Sequence, residues 1–250
     1  MFNKKVKNKI KNKVIEFSEV SKSFRHFSLK NINFEVYESE CFGILGKNGA
    51  GKTTILKLMQ GMVKRDEGEI EVLGFDPEND EIKIKELIGY VPEQSNPPSF
   101  LTIDEFFDFV SKIRRISPNF DFWYDFFDLK DYKDELILNL SRGTKQKLMF
   151  AQAFLHEPRI AIIDEPLVNL DPLTQVKVID YIKKAVKNGK TVILATHMIS
   201  LAAKICNRVM ILDNGKIKKI TKLNGLNKEA RLMKEFNSVD KKSNKTHKMI

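Results

Sequence analysis

The sequence predicts an α/β fold with a mainly parallel sheet, an antiparallel β subdomain near the N-terminus and an inserted helical subdomain. Short apolar runs at residues 42–45, 160–163 and 191–195 are typical of buried strands, and segments of helical character separate them. Strands that alternate with helices favour a parallel sheet covered on both faces. Residues 14–36 differ, because their β-branched and aromatic residues follow one another in short strand-like runs.

An aromatic-rich segment in the middle of the chain predicts the inserted helical subdomain. Eleven aromatic residues fall between Phe100 and Tyr132, and Thr102 with Glu105 forms a capping box that opens a helix. We expect most of these rings to form the core of a small lobe, with a few left for a partner's helix. The expected division is a basic extension at 1–13, a catalytic core at 14–92 and 149–222, a helical subdomain at about 93–148 and a lysine-rich, weakly patterned tail at 223–250.

The positive charge of the chain is concentrated at its two ends. The formal net charge is +10, and residues 1–13 contain six lysines and no acid. Four further lysines lie near the C-terminus, at Lys241, Lys242, Lys245 and Lys248. Runs of this kind are usually solvated tails. Attraction to anionic lipid headgroups or to nucleic acid is the functional alternative.

The cysteines and the hydropathy pattern indicate the cellular compartment in which the protein is expected. Cys41 and Cys206 are far apart in the sequence and lack metal-ligand spacing, which favours free thiols in a reducing compartment. The N-terminus lacks the apolar segment of a signal peptide. No run approaches the roughly 18 apolar residues of a membrane span. We therefore expect a cytoplasmic protein that reaches a membrane only through a partner or its basic ends.

Residues 46–53 carry the strongest functional signal in the chain. They fit the phosphate-binding pattern G-x-x-x-x-G-K-[ST] and lie between a predicted strand and a predicted helix. Glycines allow backbone N–H groups to converge on phosphate oxygens, and the helix N-terminus adds its dipole. Lys52 is expected to reach the β- and γ-phosphates of ATP, and Thr53 to bind Mg²⁺. The expected nucleotide-binding residues of this loop are Gly46, Lys47, Asn48, Gly49, Ala50, Gly51, Lys52, Thr53 and Thr54.

A pair of acids follows the buried run at residues 160–163. Asp164 is expected to face the magnesium side of the phosphates, because ligands bind at the carboxyl ends of the strands in such sheets. Glu165, one residue further on, is the candidate base that polarises the attacking water. Together with the glycine-rich loop, this pair predicts a P-loop NTPase that binds ATP and Mg²⁺ and hydrolyses the nucleotide.

A third motif, Leu140-Ser141-Arg142-Gly143, precedes a helical pattern and places Ser141 23 residues before Asp164. Its hydroxyl and its glycine would make a second phosphate-binding helix N-terminus. Taken alone, however, Ser141 is simply a helix cap, which is the commoner role for such a serine. The position of this motif between the loop and the acidic pair is what makes it informative.

Together these motifs resemble the nucleotide-binding subunit of an ABC transporter, and the resemblance covers about residues 14–222. Ser141 and Gly143 match the signature motif of that family. His197, which follows a strand, resembles its switch histidine. Phe24 lies where the family places an aromatic ring that stacks on adenine.

The resemblance implies an ATP site shared between two subunits. ATP would lie between the P-loop of one subunit and Ser141 and Gly143 of the other. His197 would contact the γ-phosphate and hold the attacking water together with Glu165. Asp171 resembles the residue of the family's D-loop that communicates across the dimer.

Two positions depart from the family pattern. Arg142 stands where the signature motif usually has glycine, so a bulky cation either changes how tightly the partner's ATP is held or points away. The family often has Tyr-x-Pro-Gln at its Q-loop, whereas this chain has Pro92-Glu93-Gln94 after Tyr90 and one valine. Direct alignment puts Glu93 at the glutamine position, and Gln94 would serve if the loop shifts by one residue. Either residue would link the magnesium site to the helical subdomain.

The resemblance also implies two protein partners, namely a second ATP-binding subunit, identical or different, and an integral membrane permease on another chain. The ATPase would then lie on the inner face of the cell membrane, and its pattern is closest to bacterial exporter-type subunits. The alternative is a soluble ABC ATPase that acts on nucleic acid or on an assembly machine. Nucleic-acid partners are less favoured, because the chain has one ATPase unit and lacks long coiled coils and zinc modules. A P-loop kinase or GTPase is also disfavoured, since neither uses a partner's serine–glycine signature.

Overall fold

The computed structural model describes the backbone of residues 12–247 and the side chains of residues 12–239. The strands are β1 (Lys13–Phe24), β2 (Phe27–Tyr37), β3 (Cys41–Leu45), β4 (Glu67–Val72), β5 (Ile88–Val91), β6 (Ile160–Asp164), β7 (Thr191–Thr196), β8 (Arg208–Asp213) and β9 (Lys216–Lys222). The helices are α1 (Lys52–Met59), α2 (Glu81–Leu87), α3 (Ile103–Arg114), α4 (Asp121–Phe127), α5 (Arg142–Phe154), α6 (Pro172–Lys187), α7 (Ile199–Ile205) and α8 (Lys228–His247). The expected basic extension at 1–13 lies outside the described residues except for its last two.

The N-terminal subdomain is a three-stranded antiparallel sheet with the order β2-β1-β4, as the sequence predicts. Phe17 of β1 lies opposite Phe34 of β2, and their rings stack at 4.6 Å. Phe34 also stacks on Phe42 of β3 at 5.5 Å. Each such aromatic pair contributes about 0.5–1.5 kcal/mol beyond the area that it buries. This stack joins the antiparallel sheet to the central one.

The central sheet has six strands in the order β5-β6-β7-β3-β8-β9, and all neighbours except β8 and β9 are parallel. Every residue of β3, β6 and β7 is buried, as expected for strands covered on both faces. Leu45 of β3 lies beside Thr196 of β7, and Asp164 of β6 lies beside Ala195 of β7. The register thus brings three segments that are distant in the sequence to one edge of the sheet. The predicted P-loop NTPase fold is confirmed.

The helical subdomain has a core of aromatic rings. Thr102 caps α3, because its Oγ1 accepts the Glu105 N–H at 3.2 Å and the Glu105 carboxylate accepts the Thr102 N–H at 2.9 Å. The ring of Trp123 is buried and stacks on Phe127 at 6.0 Å. The expectation that most aromatics of this segment form a core is confirmed. The exposed exceptions are Phe100, Phe109, Phe122 and Tyr132.

The C-terminal segment differs from the expected weakly patterned tail. It forms α8, which packs against α7. Leu232 is fully buried, and Phe236 and Val239 pack against the same core. Residues at this spacing lie on one face of a helix, and the many lysines around them obscure that pattern in the sequence. The side chains of the lysines from Lys241 onward lie outside the described residues.

Cys41 and Cys206 are neighbours in space, although 165 residues separate them. Both are buried free thiols, and their Sγ atoms lie 3.7 Å apart where β3 meets the C-terminal end of α7. The hydrogen bond with Cys206, together with burial, raises the pKa of the Cys41 thiol well above its usual value. Both cysteine side chains belong to the buried core. Within residues 12–247, no helix has the length and apolar character that crossing a membrane requires.

Candidate functional site

The loop between β3 and α1 presents backbone N–H groups at the start of a helix, as the pattern at 46–53 predicts. The N-cap of α1 is Gly51, with φ of 107°, and it makes no side-chain capping bond. A Cβ atom at Gly51 would meet Cζ of Phe27 at 2.6 Å. Both the left-handed backbone and this neighbouring ring therefore require glycine. The first turn of α1 offers its N–H groups and the positive end of its dipole to an anion.

Lys52 supplies a cation to this loop. It is 7% exposed, and its Nζ donates to the carbonyl groups of Gly46 at 3.0 Å and Lys47 at 3.4 Å. The same Nζ lies 3.6 Å from Oε1 of Glu165. The ammonium thus lies between the loop and the carboxyl end of β6, where it can donate to an anion held by the loop.

Thr53 and Asp164 form a site that fits a divalent cation. Oγ1 of Thr53 donates to Oδ2 of Asp164 at 2.8 Å. Asp164 is 1% exposed, and its other oxygen, Oδ1, is buried without a hydrogen-bond partner in the described part of the chain. A hydroxyl group and a buried carboxylate with a free oxygen are the hard oxygen ligands that Mg²⁺ prefers. These two residues therefore fit the Mg²⁺ ion that the sequence analysis expects.

The protonation of Asp164 reflects its surroundings. Burial raises its pKa to about 6, the hydrogen bond from Thr53 opposes that rise, and the charges of Glu93 and Glu165 reinforce it. Three carboxylates thus face one another near the end of β6. Such a cluster favours a bound cation, because a positive charge offsets the repulsion among them.

Glu165 is held by several hydrogen bonds from β7 and the residue after it. Its Oε2 accepts the hydroxyl of Thr196 at 2.9 Å, and its Oε1 accepts the backbone N–H of His197 at 2.9 Å. Nδ1 of His197 lies 2.8 Å from the same Oε1. Glu165 has a left-handed backbone with φ of 48°, which costs about 1–3 kcal/mol, and its N–H donates to the carbonyl of Ala195 at 2.9 Å. The surrounding bonds therefore fix a strained residue.

The residues predicted from separate motifs line one cavity of about 620 Å³. Its walls are His26, Phe27, Asn48, Gly49, Gly51, Lys52, Thr53, Thr54, Glu93, Asp164 and Glu165. The other predicted loop residues form the base of the loop. The N–H of Ala50 donates to the carbonyl of Lys47 at 3.1 Å, and the N–H of Gly46 donates to the carbonyl of Thr196 at 3.3 Å. The site is therefore assembled where β3, β6 and β7 end.

Phe24, the residue expected to stack on adenine, does not line this cavity. It ends β1, is 47% exposed and has Nζ of Lys22 at 5.6 Å from its ring centroid. The turn between β1 and β2 instead places His26 and Phe27 on the cavity wall. The sequence analysis missed both residues. The available signal was a second aromatic residue across a two-residue turn, since Phe24 and Phe27 pair in the hairpin.

Thr196 is a third residue that the sequence analysis missed. It is fully buried at the end of β7, and its hydroxyl also accepts the backbone N–H of Met198 at 3.0 Å. The hydroxyl thus orders the segment that carries His197 as well as the carboxylate of Glu165. The available signal was a hydroxyl residue at the end of a buried apolar strand, directly before the predicted histidine.

Glu93 lines two cavities, and this position bears on whether Glu93 or Gln94 is the Q-loop residue. Glu93 lines the cavity that contains Asp164 and Glu165. Gln94 does not line that cavity; it lines a second cavity of about 450 Å³, which Glu93 also lines. The geometry therefore favours Glu93 as the residue beside the cation ligands.

Ser141 and Gly143 lie at the start of α5 and do not line the cavity beside the P-loop. Oγ of Ser141 accepts the N–H of Thr144 at 3.1 Å, so the serine caps the helix. A Cβ atom on Gly143 would meet the carbonyl oxygen of Asn169 at 2.6 Å, which excludes larger residues there. Arg142 is exposed and lines the second cavity. The signature residues thus form a surface that is separate from the P-loop within one chain.

Asp171, which resembles a residue that communicates between subunits, caps α6. Its Oδ1 accepts the N–H of Thr174 at 2.9 Å, and its Oδ2 accepts the hydroxyl of Thr174 at 2.6 Å. These bonds lower the pKa of Asp171. Pro172 occupies the first turn of the helix, where its missing N–H has no cost. Asp171 therefore fixes the direction in which the chain leaves the site.

Comparison with known proteins gives a family match and similar sequences. A family model described as ABC transporter matches residues 29–168. The chain is 35% identical over 211 residues to the uncharacterized ABC transporter ATP-binding protein YxlF of Bacillus subtilis, covering 82% of this chain and 69% of that protein. It is 32% identical over 208 residues to the Nod factor export ATP-binding protein I of Rhizobium etli, covering 81% of this chain and 66% of that protein. The chain thus spans about two thirds of the length of these relatives.

Solved structures share the same fold. An ATP binding subunit of an ABC transporter superposes with a TM-score of 0.82 and 26% identity, covering 90% of this chain and 98% of that chain. A dimeric ATP-binding cassette in a post-hydrolysis state, bound to ADP and Pi, gives a TM-score of 0.76 and 26% identity, covering 85% of this chain and 100% of that chain. The similarity therefore extends over the central sheet, the antiparallel sheet and the helical subdomain.

Proposed function

Because the chain belongs to the ABC transporter family as an ATP-binding subunit, we propose that it hydrolyses ATP as a dimer and drives a separate membrane permease in the direction of export. The observation that carries the ATPase part is the set of contacts at the ends of β3, β6 and β7. There a buried lysine, a hydroxyl–carboxylate pair and a fixed glutamate line one cavity.

The P-loop side of the cavity would bind the nucleotide. Lys52 would bond the β- and γ-phosphates through the Nζ that lies next to the loop carbonyl groups. Thr53 and Asp164 would hold Mg²⁺, which neutralises charge on the phosphates when it is bound. Asn48, Gly49 and the first turn of α1 would contribute backbone N–H donors.

Glu165 is the group that would accept a proton from the attacking water. Its Oε1 and Oε2 are oriented by His197 and Thr196, so the carboxylate does not need to reorganise before it acts. The His197 side chain is 51% exposed and lies against Oε1 of Glu165. Its second ring nitrogen would face the γ-phosphate and help to hold the water.

The dimer part of the proposal rests on the place of the signature residues. Ser141 and Gly143 lie at an exposed helix start outside the P-loop cavity of their own chain. A second copy or a related subunit would bring its own signature residues to the nucleotide held by this one. One of the solved relatives is a dimer bound to ADP and Pi, which supports this arrangement.

A groove between α2 and the helical subdomain supports a permease partner. It measures about 830 Å³, and Ile82, Phe109 and Ile113 on its wall are 77%, 47% and 63% exposed. Contiguous exposed apolar side chains mark interaction surfaces, and a groove of this kind accepts an amphipathic helix. The direction of transport is proposed from relatives whose names state export.

Co-purification from membranes tests the proposal. The tagged protein should be recovered with an integral membrane protein, and Phe109→Asp with Ile113→Asp should break that association without changing nucleotide binding. Lys52→Ala should abolish Mg²⁺-dependent ATP hydrolysis in the purified protein. Recovery of the protein in the soluble fraction, together with binding to RNA or DNA that weakens steeply with salt, would instead support a nucleic-acid ATPase.

A further inference from the structure

The loop after β5 is joined by a hydrogen bond to the helix that carries the signature residues. Oγ of Ser95 donates to Oε1 of Gln146, which lies early in α5. In the described part of the chain, this is the only hydrogen bond that residues 93–97 make. We propose that Ser95 and Gln146 are positioning residues, whose bond sets the place of the loop beside the cation ligands relative to the signature residues during ATP hydrolysis. The inference rests on the proposed ATPase function, because its main consequence is read in turnover.

Gln146 depends on this bond because its amide is buried. The side chain is 1% exposed, and its Nε2 has no hydrogen-bond partner among residues 12–239. Within the same residues, the hydroxyl of Ser95 is the one group that bonds the buried amide. A buried polar group that loses its partner is costly. The loop is therefore favoured in the position where the hydroxyl meets the amide.

The loop end of this connection lies at the cation site. Strands β5 and β6 are parallel neighbours, so the loop after β5 starts beside the end of β6, where Asp164 lies. Glu93 lines the cavity that contains Asp164, and the two carboxylates are close enough for their charges to interact. Ser95 is only two residues further along the chain. A movement of the loop at the cation ligands would therefore act on Gln146 through a short segment.

The helix end of the connection has a defined place. A Cβ atom on Gly143 would meet the carbonyl oxygen of Asn169 at 2.6 Å, so the first turn of α5 packs closely against the segment after β6. Ser141 caps the same turn. Gln146 lies five residues after this cap. The bond from Ser95 would thus set the spacing between the cation ligands of one chain and the signature residues that the same chain would offer to its partner's nucleotide.

Removal of the hydroxyl tests the proposal. Ser95→Ala should lower kcat by about fivefold, while the affinity for ATP stays within about twofold, because the P-loop and its contacts are unchanged. Ser95→Thr keeps a hydroxyl and should retain at least about half of the wild-type kcat. Ser99→Ala is the matched control, since Ser99 is exposed in the same connection and its side chain makes no hydrogen bond in the described chain. Its kcat should equal that of the wild type.

Gln146→Leu separates positioning from stability. Leucine is close to glutamine in volume, and an apolar group in place of a partly bonded buried amide can leave the fold equally or more stable. We therefore expect kcat to fall by about fivefold with a Tm that is unchanged or higher. Adding Ser95→Ala should cost little more, because both changes remove the same bond. Wild-type kcat in both single variants, or a loss of kcat that only follows a loss of Tm, would overturn the proposal, as would a Ser95→Thr variant as slow as Ser95→Ala.

Proteolysis in the absence of nucleotide tests the bond itself. Phe100 follows the loop and is 77% exposed, so chymotrypsin can cleave after it when the segment opens locally. Cleavage there should be faster in Ser95→Ala than in the wild type and in Ser99→Ala. Equal rates would show that the bond does not hold the loop and would overturn the proposal. A wild-type chain that hydrolyses no ATP with Mg²⁺ would overturn the proposed function instead, and the proteolysis would still decide whether the bond holds the loop.

Discussion

Glu165 shows how single residues in this site are fixed by distant parts of the chain. The hydroxyl of Thr196, the backbone N–H of His197 and the carbonyl of Ala195 all bond it, and Nζ of Lys52 lies 3.6 Å away. A side chain held in this way can act on water without first changing conformation. Its proposed role as a base would therefore depend on the chemistry of the carboxylate more than on its volume.

Glu165→Gln separates those two properties. The amide keeps the size of the side chain, and its one oxygen can still accept the backbone N–H of His197, while its NH2 group would donate toward Thr196 instead of accepting the hydroxyl. It cannot take a proton from water. We expect kcat to fall by about 100- to 10,000-fold, while the affinity for ATP stays within about threefold. Size-exclusion chromatography with ATP should then show an accumulated dimer. Turnover close to that of the wild type would remove Glu165 from the role of base.

His156 supplies a pH dependence of stability. Burial, and then the charge of Arg114, lower its pKa to about 4, while its bond with the carbonyl of Ile88 opposes the shift. Because the unfolded chain binds this proton near its usual value of about 6.5, the neutral ring stabilises the fold above that pH. The contribution is lost as the pH falls from about 6.5 toward 4.

His156→Gln tests that dependence, since glutamine keeps an N–H donor for Ile88 and does not titrate. Urea unfolding of the two proteins between pH 4.5 and 7.5 gives the free energy of unfolding at each pH. The wild-type curve should fall more steeply toward low pH than the curve of the variant. Parallel curves would show that another group governs the acid sensitivity.

At the scale of elements, two helix caps have the same local geometry and different expected roles. Thr102 caps α3 and Ser141 caps α5, each by accepting a backbone N–H three residues on. Thr102→Ala and Ser141→Ala should each lower the free energy of unfolding by about 1 kcal/mol. Only Ser141→Ala should also lower ATP turnover, because only Ser141 is proposed to face a partner's nucleotide. Equal loss of turnover in both variants would show that Ser141 acts only as a helix cap.

The elements that could be predicted from the sequence are those with a local signal. The apolar runs at 42–45, 160–163 and 191–195 became β3, β6 and β7, and the capping box at Thr102 opened α3. The P-loop pattern required only neighbouring residues, so its place between a strand and a helix was predictable. The spacing of glycines and the apolar runs of buried strands are properties of short segments, so the sequence alone can indicate them.

Other features depend on pairing between distant segments and were not predictable in this way. His26 and Phe27 reach the cavity because the β1–β2 hairpin folds over Gly51. Thr196 bonds Glu165 because β6 and β7 are neighbours in a particular register. The helix α8 was hidden by its lysines, since only its few apolar residues meet the core. In each case the contact joins residues that are not neighbours in the sequence.

At the scale of the whole molecule, the proposed dimer makes a prediction about mixtures. Lys52→Ala destroys the P-loop side of a shared site, and Ser141→Ala destroys the signature side. Each protein alone should hydrolyse ATP slowly. An equimolar mixture should regain activity, because a mixed dimer contains one site with an intact Lys52 and an intact Ser141. ATPase measurements on mixtures across protein concentrations give the result, and a mixture no more active than its components would contradict the shared site.

The strand order of the central sheet also governs when the molecule can assemble during its synthesis. The strand β3, which leads into the P-loop, lies between β7 and β8, whose residues are made about 150 positions later. At usual translation speeds that interval is on the order of ten seconds. The residues of β3, all buried in the folded chain, would lack both neighbouring strands during that interval, and a chain stopped before residue 191 would never acquire them. Bound ATP stabilises only the assembled chain, so nucleotide would favour newly completed copies over truncated ones.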